Sequence, residues 1–324
     1  MNSFHRVNRH DPCPICGKTD WCRTFEDGGV ECMRVESPVS CRSGGWMHYP
    51  DGDWRDHITA PPVTTVVTDI PPAHLTNAVF NYLLEICPTS DSHDEFLKAR
   101  GLNPDDYGTL GENRWEVADH LFRRLRDVSL MDRTPGVYYD GQKYMIAGAP
   151  GLLIPIRNAA GYIVGMQIRK DEGEPRYSFL SSRGYPGGTG SGSPVHVQRG
   201  YYPEVVITEG PLKADYLHAT KRWTTIAVPG VNNIRGVLPA LADLKADFVH
   251  VAYDMDWKAN KQVKSARAKL MQILWCEGYQ VSSFSWDPAY KGIDDALRAD
   301  CDLIQTDYDP DGAVPCARIY EGGW

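Results

Sequence analysis

Residues 203–297 combine an alternation of strands and helices with acidic residues at strand ends, and this stretch constrains the fold more than any other. The first apolar strand, PEVVITEG, ends at Glu209, and PLKADYLHA continues as a helix. TTIAVPG repeats the strand pattern, as does FVHVAYDMD, which ends on Asp254 and Asp256. Strands separated by helices of this length form a parallel sheet, whose ligands bind at the carboxyl ends of the strands. We therefore expect the three carboxylates to converge.

Three convergent carboxylates suit a reaction that depends on a divalent metal. Nucleotidyl transfer needs Mg²⁺ or Mn²⁺ to activate the attacking oxygen and to neutralise the leaving pyrophosphate, and hard cations prefer carboxylate oxygens. In Asp254-Met255-Asp256, strand alternation directs both carboxylates to one side, and Glu209 is then a third ligand or a general base. An N-cap of the following helix is the alternative for either aspartate. We expect Asp215, six residues beyond Glu209, to be solvated.

The order of these motifs resembles the Toprim domain of DnaG-type primases, of type IA and II topoisomerases and of related nucleases. The motifs are Glu-Gly-x-x-Lys-Ala-Asp, Asp-x-Asp and the Gly-x-Asp-Asp of KGIDDAL, and each follows an apolar strand. KGIDDAL and the run YDMDWKANKQVKSARAKL look like the matching segments of Toprim primases encoded by phages and plasmids. The resemblance implies a catalytic Mg²⁺ or Mn²⁺ held by Glu209, Asp254 and Asp256, with support from Asp294 and Asp295.

The N-terminal segment CPICGKTDWCRTFEDGGVEC has the cysteine spacing of a structural Zn²⁺ site. A Cys-x-x-Cys-Gly knuckle is followed by two cysteines at the ends of a predicted hairpin, which gives the ligand set Cys13, Cys16, Cys22 and Cys32. Cys41 and His48 compete for ligand positions, and a set with Cys41 in place of Cys22 is chemically equivalent. We favour Cys22 because the phage-type primases that this stretch resembles tend to carry a cysteine there.

The composition narrows the class of protein further. At 324 residues and 42% hydrophobic, the chain can bury a sizeable core and form two or three domains. Five of the nine cysteines lie between residues 13 and 41, which favours a metal site in a reducing cytoplasm over a secreted disulfide scaffold. No apolar run is long enough for a membrane span, and the N-terminus does not resemble a signal peptide. The net charge of -8 disfavours bulk electrostatic binding to nucleic acid, but a local basic stripe can still hold a strand.

The remaining segments complete the predicted organisation, which is an α/β fold with a parallel-sheet Toprim core. Proline pairs indicate an extended linker, leucine periodicity indicates helices between residues 74 and 128, and GLLIPIRNAAGYIVGMQIRK alternates about a turn, as in a β-hairpin. We divide the chain into a zinc ribbon at residues 1–50, a linker at 51–72, a helical and β-rich subdomain at 73–200, a Toprim catalytic domain at 201–300 and a C-terminal tail at 301–324.

Several basic residues are candidates for phosphate contacts. In the family that the chain resembles, basic residues line a groove for template and nucleotide, and the resemblance assigns this role to Arg157, Arg169 and Lys170, with Arg176 and Tyr177 close by. Beyond the Asp-x-Asp motif, basic residues recur at every third position with no acid among them, as a stripe of Lys258, Lys261, Lys264 and Arg267. Lys213 on the first helix is a further candidate. An ordinary solvated face is the alternative for each.

Together these features predict a DNA primase of a phage, plasmid or other mobile element in a bacterial host. Such an enzyme synthesises short oligonucleotides on single-stranded DNA from nucleoside triphosphates. The Gly/Ser run at residues 184–193 lacks the Gly-Lys-Ser/Thr ending of a P-loop, so a helicase would be a separate partner. A Toprim nuclease or strand-breaking enzyme would use the same acids. A non-catalytic zinc-ribbon DNA-binding protein is the third alternative, and the intact acids argue against it.

Overall fold

The computed structural model describes residues 4–26, 28–37, 41, 45–50, 70–230, 234–309 and 317–319. The chain forms two compact units, Met1–Val67 and Thr68–Trp324. Residues 51–69 of the predicted linker and residues 310–316 and 320–324 of the predicted tail lie outside the described residues. None of the helices within the described ranges has the length and apolar character needed to cross a membrane.

The N-terminal unit contains a small antiparallel sheet. Its four strands are adjacent in chain order, and they are β1 (Phe4–Arg6), β2 (Arg23–Phe25), β3 (Val30–Cys32) and β4 (Trp46–His48). The core beneath them consists of two valines and three cysteines, with Ile15, Cys16 and Met33 packed against it. Because so small a core provides little free energy of folding, a unit of this kind depends on a metal or another crosslink.

The second unit begins with helices, as the leucine periodicity predicts. They are α1 (Ala73–Ile86), α2 (Asp91–Ala99), α3 (Arg114–Leu125) and α4 (Val128–Arg133), with a 3₁₀ turn at Pro104–Asp106. Side-chain caps set two of the starts, because Ser90 accepts from the backbone N–H of His93 and Asp127 accepts from that of Leu130. The buried face of α1, which includes Val79, Phe80 and Leu83, packs into the core of this half of the unit.

The same half of this unit contains an antiparallel sheet. Its order is β10-β9-β8-β5, formed by β5 (Gly108–Leu110), β8 (Gly151–Arg157), β9 (Ile163–Lys170) and β10 (Tyr177–Phe179), and a separate hairpin joins β6 (Val137–Tyr139) to β7 (Tyr144–Ile146). The β8–β9 pair is the hairpin predicted from sequence. Asn158 closes its turn, since its side-chain oxygen accepts from the backbone N–H groups of Ala160 and Tyr162.

The largest sheet has seven strands in the order β11-β13-β12-β14-β15-β16-β17. The strands are β11 (His196–Gln198), β12 (Val205–Glu209), β13 (Thr224–Val228), β14 (Phe248–Ala252), β15 (Gln280–Ser285), β16 (Ile304–Asp307) and β17 (Ala317–Ile319). The central four, β13, β12, β14 and β15, pair in parallel, and the outer strands pair antiparallel. Four helices connect or flank them, namely α5 (Pro211–Lys221), α6 (Val237–Leu244), α7 (Lys261–Cys276) and α8 (Ile293–Arg298).

Strand β12 is buried on both faces of this sheet. Val205 and Ile207 belong to a core that includes residues of α6 and α7, whereas Val206 belongs to a core with α5 and α8. This second core also takes Leu152 and Ile154 from β8. Residues 73–200 and 201–300 both contribute side chains to this second core, and the sequence-based division between them stays a prediction.

Candidate functional site

The acidic residues meet where β12 and β14 end side by side. The two strands pair in parallel up to Thr208 and Ala252, so Glu209 and Asp254 emerge at the same edge. The backbone N–H of Asp254 donates to Glu209 Oε1 at 3.2 Å. Gly210 turns the chain from β12 into α5 with a φ of 81°, a conformation that favours glycine. The structure therefore brings these two predicted residues into contact, through the backbone of Asp254 and the carboxylate of Glu209.

Two lysines balance the charge of this cluster. Lys213 Nζ lies 2.5 Å from Asp254 Oδ1, and Lys291 Nζ lies 3.2 Å from Asp256 Oδ2 and 3.9 Å from Asp254 Oδ2. Lys213, predicted to be a phosphate contact, is thus a partner of the acids. Lys291 was not predicted, although it belongs to the KGIDDAL motif. Asp254 precedes a 3₁₀ turn, Met255–Lys258, without a side-chain capping bond, so its carboxylate serves the cluster and not the turn.

Burial changes the proton affinity of these acids. Burial and the nearby charge of Asp254 raise the pKa of Glu209 to about 7. Burial also raises the pKa of Asp254, against the opposing effect of Lys213. A hydrogen bond to Asp256 raises the pKa of Lys291. Asp256 Oδ1 is buried and lacks a hydrogen-bond partner among the described residues. The three carboxylates, one of them with an oxygen that has no hydrogen-bond partner in the described ranges, are the kind of ligands that a hard divalent cation prefers.

Asp294 and Asp295 are held by arginines. The buried carboxylate of Asp294 accepts from Arg100 at 2.6 Å and from Arg298 at 3.4 Å, and Asp295 pairs with Arg298 at 2.5 Å. Asp294 Oδ1 is buried and has no partner within the described ranges. Asp294 therefore links the end of α2 to α8. The expected support of a bound metal by Asp294 and Asp295 stays a prediction.

Asp215 is buried, so the expectation that it is solvated is wrong. Its carboxylate accepts from Tyr107 Oη at 2.7 Å, His196 Nε2 at 2.9 Å and Gln198 Nε2 at 2.6 Å. The backbone N–H of Arg157 donates to His196 Nδ1 at 3.1 Å, so the ring proton lies on Nε2. Burial would raise the pKa of Asp215, but His196 and the other donors lower it below its usual value. These partners come from distant segments, so no local sequence pattern reveals them.

The other basic candidates lie in two places. On the β8–β9 pair, the Arg157 guanidinium donates to the Gly161 carbonyl at 3.3 Å, the Arg169 guanidinium lies 4.2 Å from the Phe96 ring centroid, and Lys170 is half-buried. Lys258 and Lys261 are exposed shortly after Asp256. Their role in binding phosphate stays a prediction.

The four favoured cysteines form one cluster in the N-terminal unit. The sulfur atoms of Cys13, Cys16, Cys22 and Cys32 all lie within 4.8 Å of one another. Backbone N–H groups of Met33 and Val35 donate to the sulfurs of Cys22 and Cys32 at 3.5 and 3.3 Å, which stabilises thiolates. Such a set fits a structural Zn²⁺ ion.

The two competing residues are engaged elsewhere. Burial and the neighbouring Glu31 carboxylate raise the pKa of Cys41. The ring of His48 contacts the Val35 carbonyl through Nε2 at 2.9 Å. Neither residue belongs to the four-cysteine cluster.

Comparisons with known proteins agree with this fold. Residues 198–302 match a family profile described as a domain of unknown function, DUF3854. No curated protein matches the sequence. Among solved structures, the primase of Aquifex aeolicus, comprising its zinc-binding and RNA polymerase domains, is 15% identical with a TM-score of 0.54 and covers 92% of this chain and 76% of its own.

Two further solved structures are similar to this chain. The RNA polymerase domain of Mycobacterium tuberculosis primase DnaG, in complex with double-stranded DNA, is 20% identical with a TM-score of 0.53, covering 70% of this chain and 79% of its own. The DnaG primase catalytic domain bound to single-stranded DNA is 15% identical with a TM-score of 0.51, and the match covers 70% of this chain and 75% of that domain's chain. The chain thus has the α/β fold of DnaG-type primase domains, together with a four-cysteine cluster of the zinc-ribbon kind.

Proposed function

We propose that this protein is a DNA primase that joins nucleoside triphosphates into short oligonucleotides on a single-stranded DNA template. The observation that carries the proposal is the meeting of Glu209, Asp254 and Asp256 at the ends of β12 and β14, in a chain with the fold of DnaG-type primases. Solved relatives bound to single- and double-stranded DNA support a DNA template. The resemblance of KGIDDAL to mobile-element primases supports an origin in a phage or plasmid of a bacterial host.

The chemistry follows from the residues at the cluster. In primer synthesis a 3′-hydroxyl oxygen attacks the α-phosphorus, a new P–O bond forms, the bond to pyrophosphate breaks, and the hydroxyl proton must leave. Asp254 and Asp256 would hold Mg²⁺ or Mn²⁺, and the bound ion would neutralise developing charge on the phosphates. Glu209 would serve as a third ligand or, where it stays off the ion, as the general base that accepts the hydroxyl proton, since its pKa without the ion is about 7. Lys213 keeps Asp254 in place through its ion pair.

The two units would divide the work of starting and extending a primer. The cysteine cluster, with Zn²⁺ bound, would fold the N-terminal unit and help to choose the start site on the template. Residues Arg157, Arg169, Lys170, Lys258 and Lys261 would contact template or nucleotide phosphates, and Asp294 and Asp295 would support the acid cluster from α8.

One assay tests this function directly. The protein is incubated with single-stranded DNA, labelled nucleoside triphosphates and Mg²⁺ or Mn²⁺, and the products are resolved by size. We expect label in new oligomers with the wild type and none with Asp254→Asn or Glu209→Gln, while both variants keep wild-type thermal stability and template binding. Cutting of the DNA without new oligomers would favour a nuclease, and full synthesis by both variants would refute the metal-site assignment.

A further inference from the structure

The basic stripe that follows the Asp-x-Asp motif is not uniform. Lys261 and Lys264 on α7 are exposed, as a solvated face requires, but Arg267 is partly buried. The guanidinium carbon of Arg267 lies 4.4 Å from the ring centroid of Trp257, and Lys258 Nζ lies 5.9 Å from the same centroid. Arg267 therefore packs against the 3₁₀ turn that carries Asp256.

Arg267 and Trp257 both have a buried donor without an acceptor. Neither Arg267 Nε nor Trp257 Nε1 has a hydrogen-bond partner among the described residues. Burial lowers the pKa of Arg267, and no carboxylate in the described part of the chain pairs with it. Arg100 Nε also lacks a partner within the described ranges, but the charge of Arg100 is compensated because its guanidinium pairs with Asp294 at 2.6 Å. A desolvated guanidinium beside an indole N–H without an acceptor is energetically unfavourable. An anion that accepts hydrogen bonds from both groups would remove this cost.

The position of this pair indicates the kind of anion. Trp257 directly follows Asp256, and both residues belong to the turn at Met255–Lys258. The Asp256 carboxylate is an expected metal ligand, and the proposed function brings phosphate groups to the acid cluster, one residue away along this turn. A guanidinium offers phosphate a planar fork of donors, and stacking on an aromatic ring holds that fork in a fixed plane.

We propose that Trp257 and Arg267 form a phosphate-binding site beside the acid cluster, with Arg267 as the anchor and the Trp257 indole N–H as a second donor. The phosphate comes either from the triphosphate of a nucleotide or from the backbone of a nucleic acid strand. The identification of the anion as phosphate, and the choice between its two sources, rest on the proposed function, whereas the donors of Arg267 and Trp257 that lack partners in the described part of the chain are observed independently of it.

Equilibrium binding to two probes tests the proposal without any turnover. Inorganic triphosphate in Mg²⁺ and a single-stranded oligothymidylate are titrated separately into the full chain by calorimetry at low salt. The variants are Arg267→Met, which keeps an apolar stem over Trp257, and Lys269→Met, which removes an exposed charge from the same helix. Because a hydrogen bond to a charged group is strong, we expect Arg267→Met to weaken one probe by about tenfold or more and Lys269→Met to change either by about twofold at most.

The pattern of losses identifies the source of the phosphate. Weaker binding of inorganic triphosphate alone indicates the nucleotide, and weaker binding of the oligothymidylate alone indicates the strand. Unchanged binding of both probes would overturn the proposal, and so would equal losses in Arg267→Met and Lys269→Met, which would indicate bulk charge.

Thermal unfolding separates a binding role from a structural one. Arg267→Met removes an uncompensated charge, so its midpoint should equal or exceed that of the wild type. A markedly lower midpoint, with binding of both probes lost, would make Arg267 structural and refute the site. Primer synthesis by the wild type is measured in a separate assay. If it is absent while Arg267→Met weakens probe binding, the proposed function is refuted and the binding site is retained. If it is present while Arg267→Met binds both probes as the wild type does, the site is refuted and the proposed function is retained.

Discussion

The carboxylate of Asp215 is enclosed by three donors, and its charge is therefore part of the fold. Replacing it with the isosteric amide in Asp215→Asn turns one acceptor oxygen into an NH₂ group that faces the donors of Tyr107, His196 or Gln198. Because a buried donor loses its acceptor, we expect the free energy of unfolding to fall by roughly 2–4 kcal/mol. Urea unfolding measures this loss, with Asp243→Asn on an exposed position of α6 as the control. A loss below that of the control would show that the network does not stabilise the fold.

His250 gives the stability a defined dependence on pH. Burial lowers the pKa of His250 from 6.5 to about 4, so the unfolded chain binds a proton at a higher pH than the folded chain does. The stability contribution is therefore complete above pH 6.5 and is lost as the pH falls toward about 4, by about 3 kcal/mol at most.

Denaturant unfolding of the wild type and of His250→Asn across this pH range tests the assignment. The variant should show a flatter profile, because the titrating ring is gone and an amide can still bond with Ser282, which His250 Nδ1 contacts at 2.6 Å. His120→Asn, on an exposed position of α3, should keep the slope of the wild type. Identical slopes in all three proteins would assign the pH dependence to other groups.

At the scale of single residues, sequence reasoning succeeds where neighbouring strand ends decide the geometry. Glu209 and Asp254 meet as predicted because parallel pairing fixes which residues share an edge. It fails where the partner lies far along the chain. Asp294 pairs with Arg100 across 194 positions, and Arg267 leaves the solvated stripe because Trp257 happens to lie beneath it. A periodic pattern predicts the face of a helix but not what packs against that face.

The loop that joins β15 to α8 is an element in which one glycine matters. The Lys291 carbonyl accepts from the backbone N–H of Met255 at 2.9 Å and thereby ties this loop to the 3₁₀ turn that follows β14. A Cβ atom on Gly292 would lie 2.9 Å from Lys213 Cε and even closer to Asp294 Oδ1. The loop, the acid cluster and α8 therefore approach one another at a point where a larger residue would force the side chains of Lys213 and Asp294 to move.

We expect Gly292→Ala to reduce the free energy of unfolding by about 1–3 kcal/mol, since overpacking forces the neighbouring groups to move. It should also weaken Mn²⁺ binding, because Lys213 and the loop help to position Asp254. Calorimetric Mn²⁺ titration and urea unfolding measure the two effects. Gly111→Ala, where an added Cβ meets open space, is the matched control. If the two variants bind Mn²⁺ equally well, the loop does not position the acids.

The strands show the same division between predicted and unpredicted features. The three apolar strands β12, β13 and β14 follow from their continuous runs of buried residues. Strand β15 contains SSFS and β16 is half-exposed, so their sequences lack a strong apolar pattern. They form because a neighbouring strand offers a free edge, which is a property of the assembled sheet and not of the local sequence.

At the scale of the whole molecule, the boundary between the two units falls after Val67. A protein that starts at Thr68 keeps all of the second unit, including the bond from Thr76 Oγ1 to the Pro71 carbonyl at 2.9 Å that precedes α1. We expect it to fold with the cooperativity of the full second unit. Chelation of Zn²⁺, or Cys13→Ser in the full chain, should unfold only the N-terminal unit, because a small metal site supplies most of its folding free energy.

The truncated protein then separates two steps of primer synthesis. Starting a chain requires two free nucleotides and a template to be held at once, whereas extension begins from a strand that is already positioned. Removing one binding module should therefore reduce the rate of initiation by about tenfold or more and leave extension of a supplied primer within about threefold. Both rates are measured on the same template for the full chain, the protein from Thr68 and the Cys13→Ser variant. Equal losses in initiation and extension, or none in either, would show that the N-terminal unit does not select start sites.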